Sequence, residues 1–286
     1  MKIRVPATSA NLGPGFDSCG IALNLYMYVE IKEETDIWIV EHELGDNVAR
    51  DEENLMISTA LKIAPDIKPH KVHMISEIPI IRGLGSSSTA IVAGIEMADI
   101  LAGLNLSKEE KVGIATEIEG HPDNVAPAIL GDFITGAYFD GEFNYKKVNF
   151  PDTAIIAYIP EEPLSTERAR SVLPKELAYK DAVKSSAISN VMVAGVISGD
   201  LRLAGRMMEK DCLHEPYRAS LVPHLSDVRD IGHRYGAYAT YLSGAGSTII
   251  MLLDEESVDD VVIELKDLPY KAKVLELEID RDGVIT

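Results

Sequence analysis

One segment leaves this backbone few choices: Pro79-Ile80-Ile81-Arg82-Gly83-Leu84-Gly85-Ser86-Ser87-Ser88-Thr89. Gly83 and Gly85 admit backbone angles that a Cβ would forbid. An apolar pattern follows, with Ile91, Ile95, Ala98 and Leu101 on one stripe, and it predicts a helix from about Ser87 to Gly103. A glycine turn feeding straight into a helix sets free backbone N–H groups beside the positive end of the helix dipole. That arrangement binds phosphate without any side-chain charge. No Gly-Lys-Ser/Thr follows, so it is not a Walker A loop. A dinucleotide fingerprint would need glycine where Ser88 stands. The G-x-S-x-G elbow of a nucleophilic serine is absent. The plainer alternative for the same residues is a serine N-cap.

Around this segment the chain reads as strands and helices without a regular βαβ rhythm, which favours an α+β fold over a doubly wound sheet. A short strand is expected at 2–6 and a loop at 7–20. A long half-buried strand spans 21–34, where Leu23, Leu25, Met27, Val29 and Ile31 share one face. Further strands are expected at 36–42 and 71–76, with a helix at 54–64 between them. Ser107-Lys108-Glu109-Glu110 forms a capping box that starts a helix running to about Glu119. Strands are read at 129–139, 143–149 and 154–159, then helices at 180–198, 200–211 and 224–235. Strands at 236–242 and 248–253, a helix at 255–266 and a strand at 272–280 complete the pattern. Phe150-Pro151-Asp152 interrupts it and sets an expected domain boundary near 150, giving domains 1–150 and 151–286.

The 286 residues bury enough surface to need neither a disulfide nor a metal staple. With 46 acidic and 27 basic side chains, the formal net charge of −19 argues against nucleic-acid and polybasic membrane binding. Cys19 and Cys212 form no CxxC pair, so zinc-ribbon and thioredoxin readings lack support. Two buried thiols in a reducing compartment are expected. Neither a signal peptide nor a membrane span is visible, and the cytoplasm is the expected location.

Two more glycine-rich segments stand out. In Pro6-Ala7-Thr8-Ser9-Ala10-Asn11-Leu12-Gly13-Pro14-Gly15-Phe16-Asp17, Asn11 and Asp17 bracket a tight turn. Both side chains either aim into a cleft or merely stabilise the loop as Asx-turns. In Leu242-Ser243-Gly244-Ala245-Gly246-Ser247-Thr248, two glycines and two serines link two strands, which suggests close backbone approach.

Together, in this order and spacing, the three segments resemble the GHMP family of small-molecule kinases, whose phosphate loop carries Pro-x-x-x-Gly-Leu-Gly-Ser-Ser. The opening segment, Glu119-Gly120-His121-Pro122-Asp123-Asn124-Val125-Ala126-Pro127 and His214-Glu215-Pro216-Tyr217-Arg218 bring the resemblance closest to the branch acting on homoserine. It covers essentially the whole chain. Ser247 departs from it, standing where the third motif usually has proline, and a slightly more flexible loop is expected there.

The resemblance implies a two-domain GHMP kinase fold with the active site in the inter-domain cleft, dimers, and transfer of phosphate from ATP to the hydroxyl of L-homoserine. ATP would rest on the loop from Pro79 to Thr89, including Arg82, Gly83, Leu84, Gly85, Ser86, Ser87 and Ser88, with Asn54 near adenine. Ser87 and Glu119 would hold Mg²⁺. Arg170 and Arg218 suit the substrate carboxylate, with Thr166 one helical turn before Arg170. Asp17 suits the ammonium, and Asn11 and Asn124 the hydroxyl; Gly244 and His121 complete the substrate set. Asp123 aligns with a catalytic aspartate, although a loose transition state demands little from a base. His121 is either a supporting donor or a structural loop histidine. Glu119 ends its helix, where the dipole disfavours a carboxylate by ~0.3–1 kcal/mol, a cost that a functional role would explain. Two rivals are a kinase of mevalonate, whose first motif would instead resemble Ala-Pro-Gly-Lys, and a non-catalytic nucleotide-binding regulator. The second should have lost Ser87, Glu119 or Asn124, and all three are present.

Overall fold

A computed structural model describes all residues from Met1 to Thr286. The first sheet begins with β1 (Lys2–Ala10) antiparallel to the long β2 (Cys19–Glu34). Strict alternation fixes the register, because a slip of one residue would turn the apolar set to the other face. Leu23, Leu25, Met27, Val29 and Ile31 are all buried. β3 (Ile39–Glu41), α1 (Leu55–Ile63) and β4 (His70–Ser76) follow, with β4 pairing the later half of β2. Next come α2 (Ser86–Ala102), α3 (Lys108–Glu119), α4 (Val125–Leu130), β5 (Phe133–Phe139) and β6 (Glu142–Val148). β5 pairs only the first residues of β2, Cys19 to Ile21.

The second sheet has the order β10-β7-β9-β8, from β7 (Ala154–Pro160), β8 (Ala239–Leu242), β9 (Ile249–Leu253) and β10 (Ala272–Leu277). Between its strands lie α5 (Thr166–Ser171), α6 (Tyr179–Ser198), α7 (Leu201–Met208), α8 (Glu215–Arg218), α9 (Leu225–Arg234) and α10 (Val258–Lys266). The mix of antiparallel sheets and helices is the α+β arrangement read from the sequence.

β7 is buried on both faces, as its unbroken apolar run requires. Ile155, Ala157 and Ile159 enter the larger core cluster, while Ala154, Ile156 and Tyr158 enter a smaller one with α9 and α10. The two sheets therefore divide between Val148 and Ala154, yet the larger core runs across both. The chain then returns to the first sheet. Asn24 N–H donates to Glu278 O (3.0 Å) and Asp280 N–H to Ala22 O (3.0 Å), filling the edge of β2 between β4 and β5.

Several expectations are corrected. β1 continues to Ala10, so the loop begins later than residue 7. The strand expected from 129 starts at Phe133, because Val125–Leu130 forms a helix. Pro127 sits in its first turn, where a backbone N–H has no helical partner to lose. The short helix α8 adds to the pattern read from the sequence, and α5 supplies the helical turn expected between Thr166 and Arg170. α2 is buried on every side from Ile91 to Ala98 rather than along one stripe. Cys19 is buried, but Cys212 is only half-buried, and both are free thiols. No helix is long and apolar enough to cross a membrane.

α3 begins with the expected capping box: Ser107 Oγ accepts from Glu110 N–H, and Glu110 Oε2 accepts from Ser107 N–H. It is locked to α2 by Lys111, whose Nζ lies 2.7 Å from Glu96 Oε2 and 2.7 Å from Asp99 Oδ2. Removing one partner of a buried ion group strands the remaining charges. Lys111→Met should therefore lower unfolding stability by about 3–5 kcal/mol in urea titrations. A loss under about 1 kcal/mol would mean that the carboxylates find other partners or protons.

Candidate active site

The three glycine-rich segments meet. Thr8 N–H donates to Leu84 O (3.2 Å), Thr248 N–H to Arg82 O (3.0 Å) and Gly244 N–H to Ala10 O (3.1 Å). Ser243 Oγ lies 2.8 Å from Ser9 Oγ and 2.6 Å from Gly83 O. Here the glycines are required by space as well as by angle. A Cβ on Gly83 would fall 2.3 Å from Ser243 O, and one on Gly85 would fall 2.2 Å from Thr8 Oγ1. Their φ angles are +77° and +72°. Ser247 Oγ donates to Glu162 O (2.8 Å), a contact that a proline at this position could not make.

Beside this junction opens a cleft of about 240 Å³ lined by both halves of the chain. α2 points its N-terminus into it. Gly85 caps that helix without a side chain, so the amides of Ser86, Ser87 and Ser88 have no partner within the protein. Ser88 is buried, and its Oγ donates to Glu119 Oε1 (3.1 Å). Ser87 is exposed to the cleft. Two serine hydroxyls and a carboxylate are hard oxygen donors, a set that fits Mg²⁺. Arg82 also lines the cleft, but its guanidinium is spent on carbonyls: Nε donates to Pro160 O (2.9 Å), Nη1 to Ile80 O (3.1 Å), and Nη2 to Glu161 O.

The opposite wall carries the charged groups. Arg170, on α5, pairs in a fork with Asp17 through contacts of 2.7 and 3.2 Å. The Phe16 ring lies beneath two guanidinium groups, 5.6 Å from that of Arg170 and 5.5 Å from that of Arg218. Arg218 is buried, which pushes its pKa down to about 10. His121 Nδ1 is 2.5 Å from Asp123 Oδ1. Burial opposes protonation of His121, but the Asp123 hydrogen bond and charge outweigh it and raise the pKa. Asn124 Oδ1 accepts from Thr8 Oγ1 (2.8 Å), and its Nδ2 has no protein partner. Thr166 lines the cleft at the start of α5.

Asn11 and Gly244 also line the cleft. The Asn11 amide is engaged there within the protein: Oδ1 accepts from Asp17 N–H (3.0 Å) and Nδ2 donates to Gly244 O (3.1 Å). Gly244 O also accepts from Arg218 Nη1, so it is occupied twice. Asn54 does not line the cleft; it caps α1 through Met56 N–H and donates to Ala49 O. Pro79, Leu84 and Thr89 also lie outside the lining. Leu84 is in the core, and Thr89 Oγ1 bonds Ser86 O. Sequence reasoning missed Phe16, whose signal was an aromatic ring set between Gly15 and Asp17.

Comparison with known proteins places these features in a family. Residues 54–132 match the GHMP kinases N terminal domain and residues 192–271 the GHMP kinases C terminal domain. Homoserine kinase of Enterococcus faecalis is 56% identical over 284 residues, covering 99% of each chain. Homoserine kinase of Listeria innocua is 53% identical over 283 residues, 99% of this chain and 98% of the other. The crystal structure of homoserine kinase from Cytophaga hutchinsonii superposes with a TM-score of 0.87 at 26% identity, covering 100% and 96% of the two chains.

The His121–Asp123 contact has a pH signature. A histidine whose pKa is raised by folding contributes stability below its unfolded value of about 6.5 and loses it as pH rises through the folded value. The stability gap between the parent and His121→Gln should therefore be larger at pH 6 than at pH 8.5 in denaturant titrations. A gap that stays constant or widens with pH would contradict the pairing.

Proposed function

This chain belongs to the GHMP kinases and within them to the homoserine kinases, and on that premise we propose how the cleft residues divide the reaction. The enzyme transfers the γ-phosphoryl group of ATP to the side-chain hydroxyl of L-homoserine, giving O-phospho-L-homoserine and ADP, a step toward threonine. The observation that carries our assignment is the opposition, across one cleft, of the uncapped N-terminus of α2 and the two arginines over Phe16.

The phosphates rest on the free amides of Ser86, Ser87 and Ser88, where the helix dipole favours negative charge. Ser87 and Glu119 hold Mg²⁺, which supplies charge neutralisation when bound. The amino-acid carboxylate meets Arg218 and Arg170, a planar fork being the natural partner of a carboxylate. Asp17 receives the ammonium, and Thr166 borders the same end. The free Nδ2 of Asn124 takes the hydroxyl, and Asn11 lines the cleft beside it. The hydroxyl oxygen bonds to the γ-phosphorus as the bond to the ADP oxygen breaks. Its proton passes either to Asp123, which His121 holds in place, or directly to the transferring phosphoryl group. The sheet division supports an N-terminal domain of residues 1–150 and a C-terminal domain of 151–286. Free thiols support a cytoplasmic location.

One assay tests these roles. ADP release coupled to L-homoserine should fall for both Glu119→Ala and Ser87→Ala, with a higher Mg²⁺ requirement. Parental behaviour of both would remove the metal assignment. In the same assay, Asp123→Ala separates two routes. A loss of about 10²–10⁴ in kcat marks general-base catalysis, and a loss near tenfold marks direct transfer.

We also propose a homodimer through α6. Only Ser185, Met192, Gly195 and Val196 of this helix are buried. Tyr179 (86% exposed), Val183 (53%), Ala187, Val191 (40%), Ala194 and Ile197 (54%) form an outward apolar stripe, spaced like one helix face. Tyr179 and Ile197 sit at its ends and the two alanines flank Val191 nearer the middle, which suits a second copy laid antiparallel. Lys180 and Lys184 would then face the carboxyl end of the other helix, where positive charge is favoured. Light scattering should give a dimer for the parent and a monomer for Val183→Glu/Val191→Glu. A monomeric parent would remove the proposal.

A further inference from the structure

We propose that His214 is a positioning residue that aims Arg218 at the substrate carboxylate. The inference rests on the reading of Arg218 given above and adds the group that orients it. His214 is fully buried just before α8, where Asp211 holds its backbone: Asp211 Oδ2 accepts from the N–H groups of His214 (2.9 Å) and Glu215 (2.7 Å). The ring is gripped on three sides. Nδ1 lies 3.1 Å from Arg218 Nη1, Nε2 lies 2.9 Å from Gly13 O, and the imidazole stacks on Phe16 at 5.3 Å with planes 22° apart.

These contacts dictate the protonation state. A guanidinium only donates, so Nδ1 must present a lone pair. A carbonyl only accepts, so Nε2 must carry the hydrogen. The ring is the neutral Nε2–H tautomer, and no other form satisfies both neighbours.

Counting donors then shows what the ring does. Arginine has five N–H groups in a rigid fork. Arg218 gives Nε–H to Ala169 O (3.0 Å), and Nη1 serves Gly244 O (2.9 Å) and His214 Nδ1. The hydrogens on Nη2 have no acceptor in the protein, and Arg218 lines the cleft. His214 therefore supplies one of three anchors that set the angle of the fork. It is the only side chain among them, the other two being backbone carbonyls. It also joins that fork to the Gly13–Phe16 turn, whose ring lies under both arginines. A Cβ on Gly13 would fall 2.0 Å from Met208 O, so this turn is itself seated against α7.

Steady-state kinetics on the full-length enzyme decide the matter. His214→Phe keeps the stacking and removes both ring nitrogens. It should raise KM for L-homoserine by about 10- to 100-fold, the range of a lost hydrogen bond to a charged group. KM for ATP should stay within about twofold of the parent, because a structural collapse would move both. His214→Asn offers an oxygen near the place of Nδ1 and should restore most of the homoserine KM. His214→Gln reaches toward Gly13 instead and should not. If the phenylalanine variant fails to fold, the contrast between Asn and Gln carries the test. 3-Aminopropan-1-ol, which is homoserine without its carboxylate, should show the same kcat/KM, or the same Ki if it is not turned over, with parent and His214→Phe.

Unchanged homoserine KM in His214→Phe, equal rises for homoserine and ATP, or equal behaviour of Asn and Gln would overturn the role of His214. Arg218→Lys separates this from the underlying reading. If it leaves homoserine KM unchanged, the carboxylate assignment of Arg218 fails. If it raises that KM while the His214 variants do not, the failure belongs to His214 alone.

Discussion

The site depends on backbone touching backbone. Gly83 lies against Ser243 O so closely that no side chain fits between them, and the hydrogen bonds from Thr8, Gly244 and Thr248 fix the first and third segments around the second. Everything chemical follows from that junction. It directs the N-terminus of α2 into the cleft, and it brings the loop of Asn11 beside the carbonyl of Gly244. Side chains alone do not hold such a geometry, since each rotamer adds freedom that a peptide ladder lacks. The glycines are the condition for the contact as well as for the angles.

Within that frame a chain of net charge −19 binds anions. Overall charge describes solubility and long-range steering, and it says little about a cleft a few ångströms across. The local supply is specific: free amides at one end, and at the other two guanidinium groups stacked on a single phenylalanine. Asp17 moderates one of these by pairing with Arg170, leaving Arg218 as the more buried and less neutralised cation.

Much of this was legible in the sequence where local rules dominate. The alternation of β2, the apolar run of β7, the capping box of α3 and the glycine-to-helix transition before α2 each carry their structure in neighbouring residues. What was not legible depends on distant partners. Arg170 and Asp17 meet across 153 positions, and no pattern near either announces it. α4 and α8 are too short for a helical period to register. The motif resemblance implies ligand roles for Asn11 and Asn54. Asn11 lines the cleft with its amide bonded into a turn, while Asn54 lies outside the lining as a helix cap, both ordinary local uses of asparagine. For Asn54 the cap signature was present, an asparagine directly before an apolar helix.

The return of residues 278–280 to the first sheet bears on how the molecule assembles during synthesis. Ala22 and Asn24 sit in one of the earliest strands to leave the ribosome, yet their edge partners are made more than two hundred residues later. Contacts of such separation form slowly, because a long loop must close first. The first half thus waits with part of β2 open. An open strand edge is a surface on which nascent chains aggregate. The late segment completes both sheets at once, β10 in the second and residues 278–280 in the first. Residues 272–280 thus belong to both sheets, and neither sheet is complete without them.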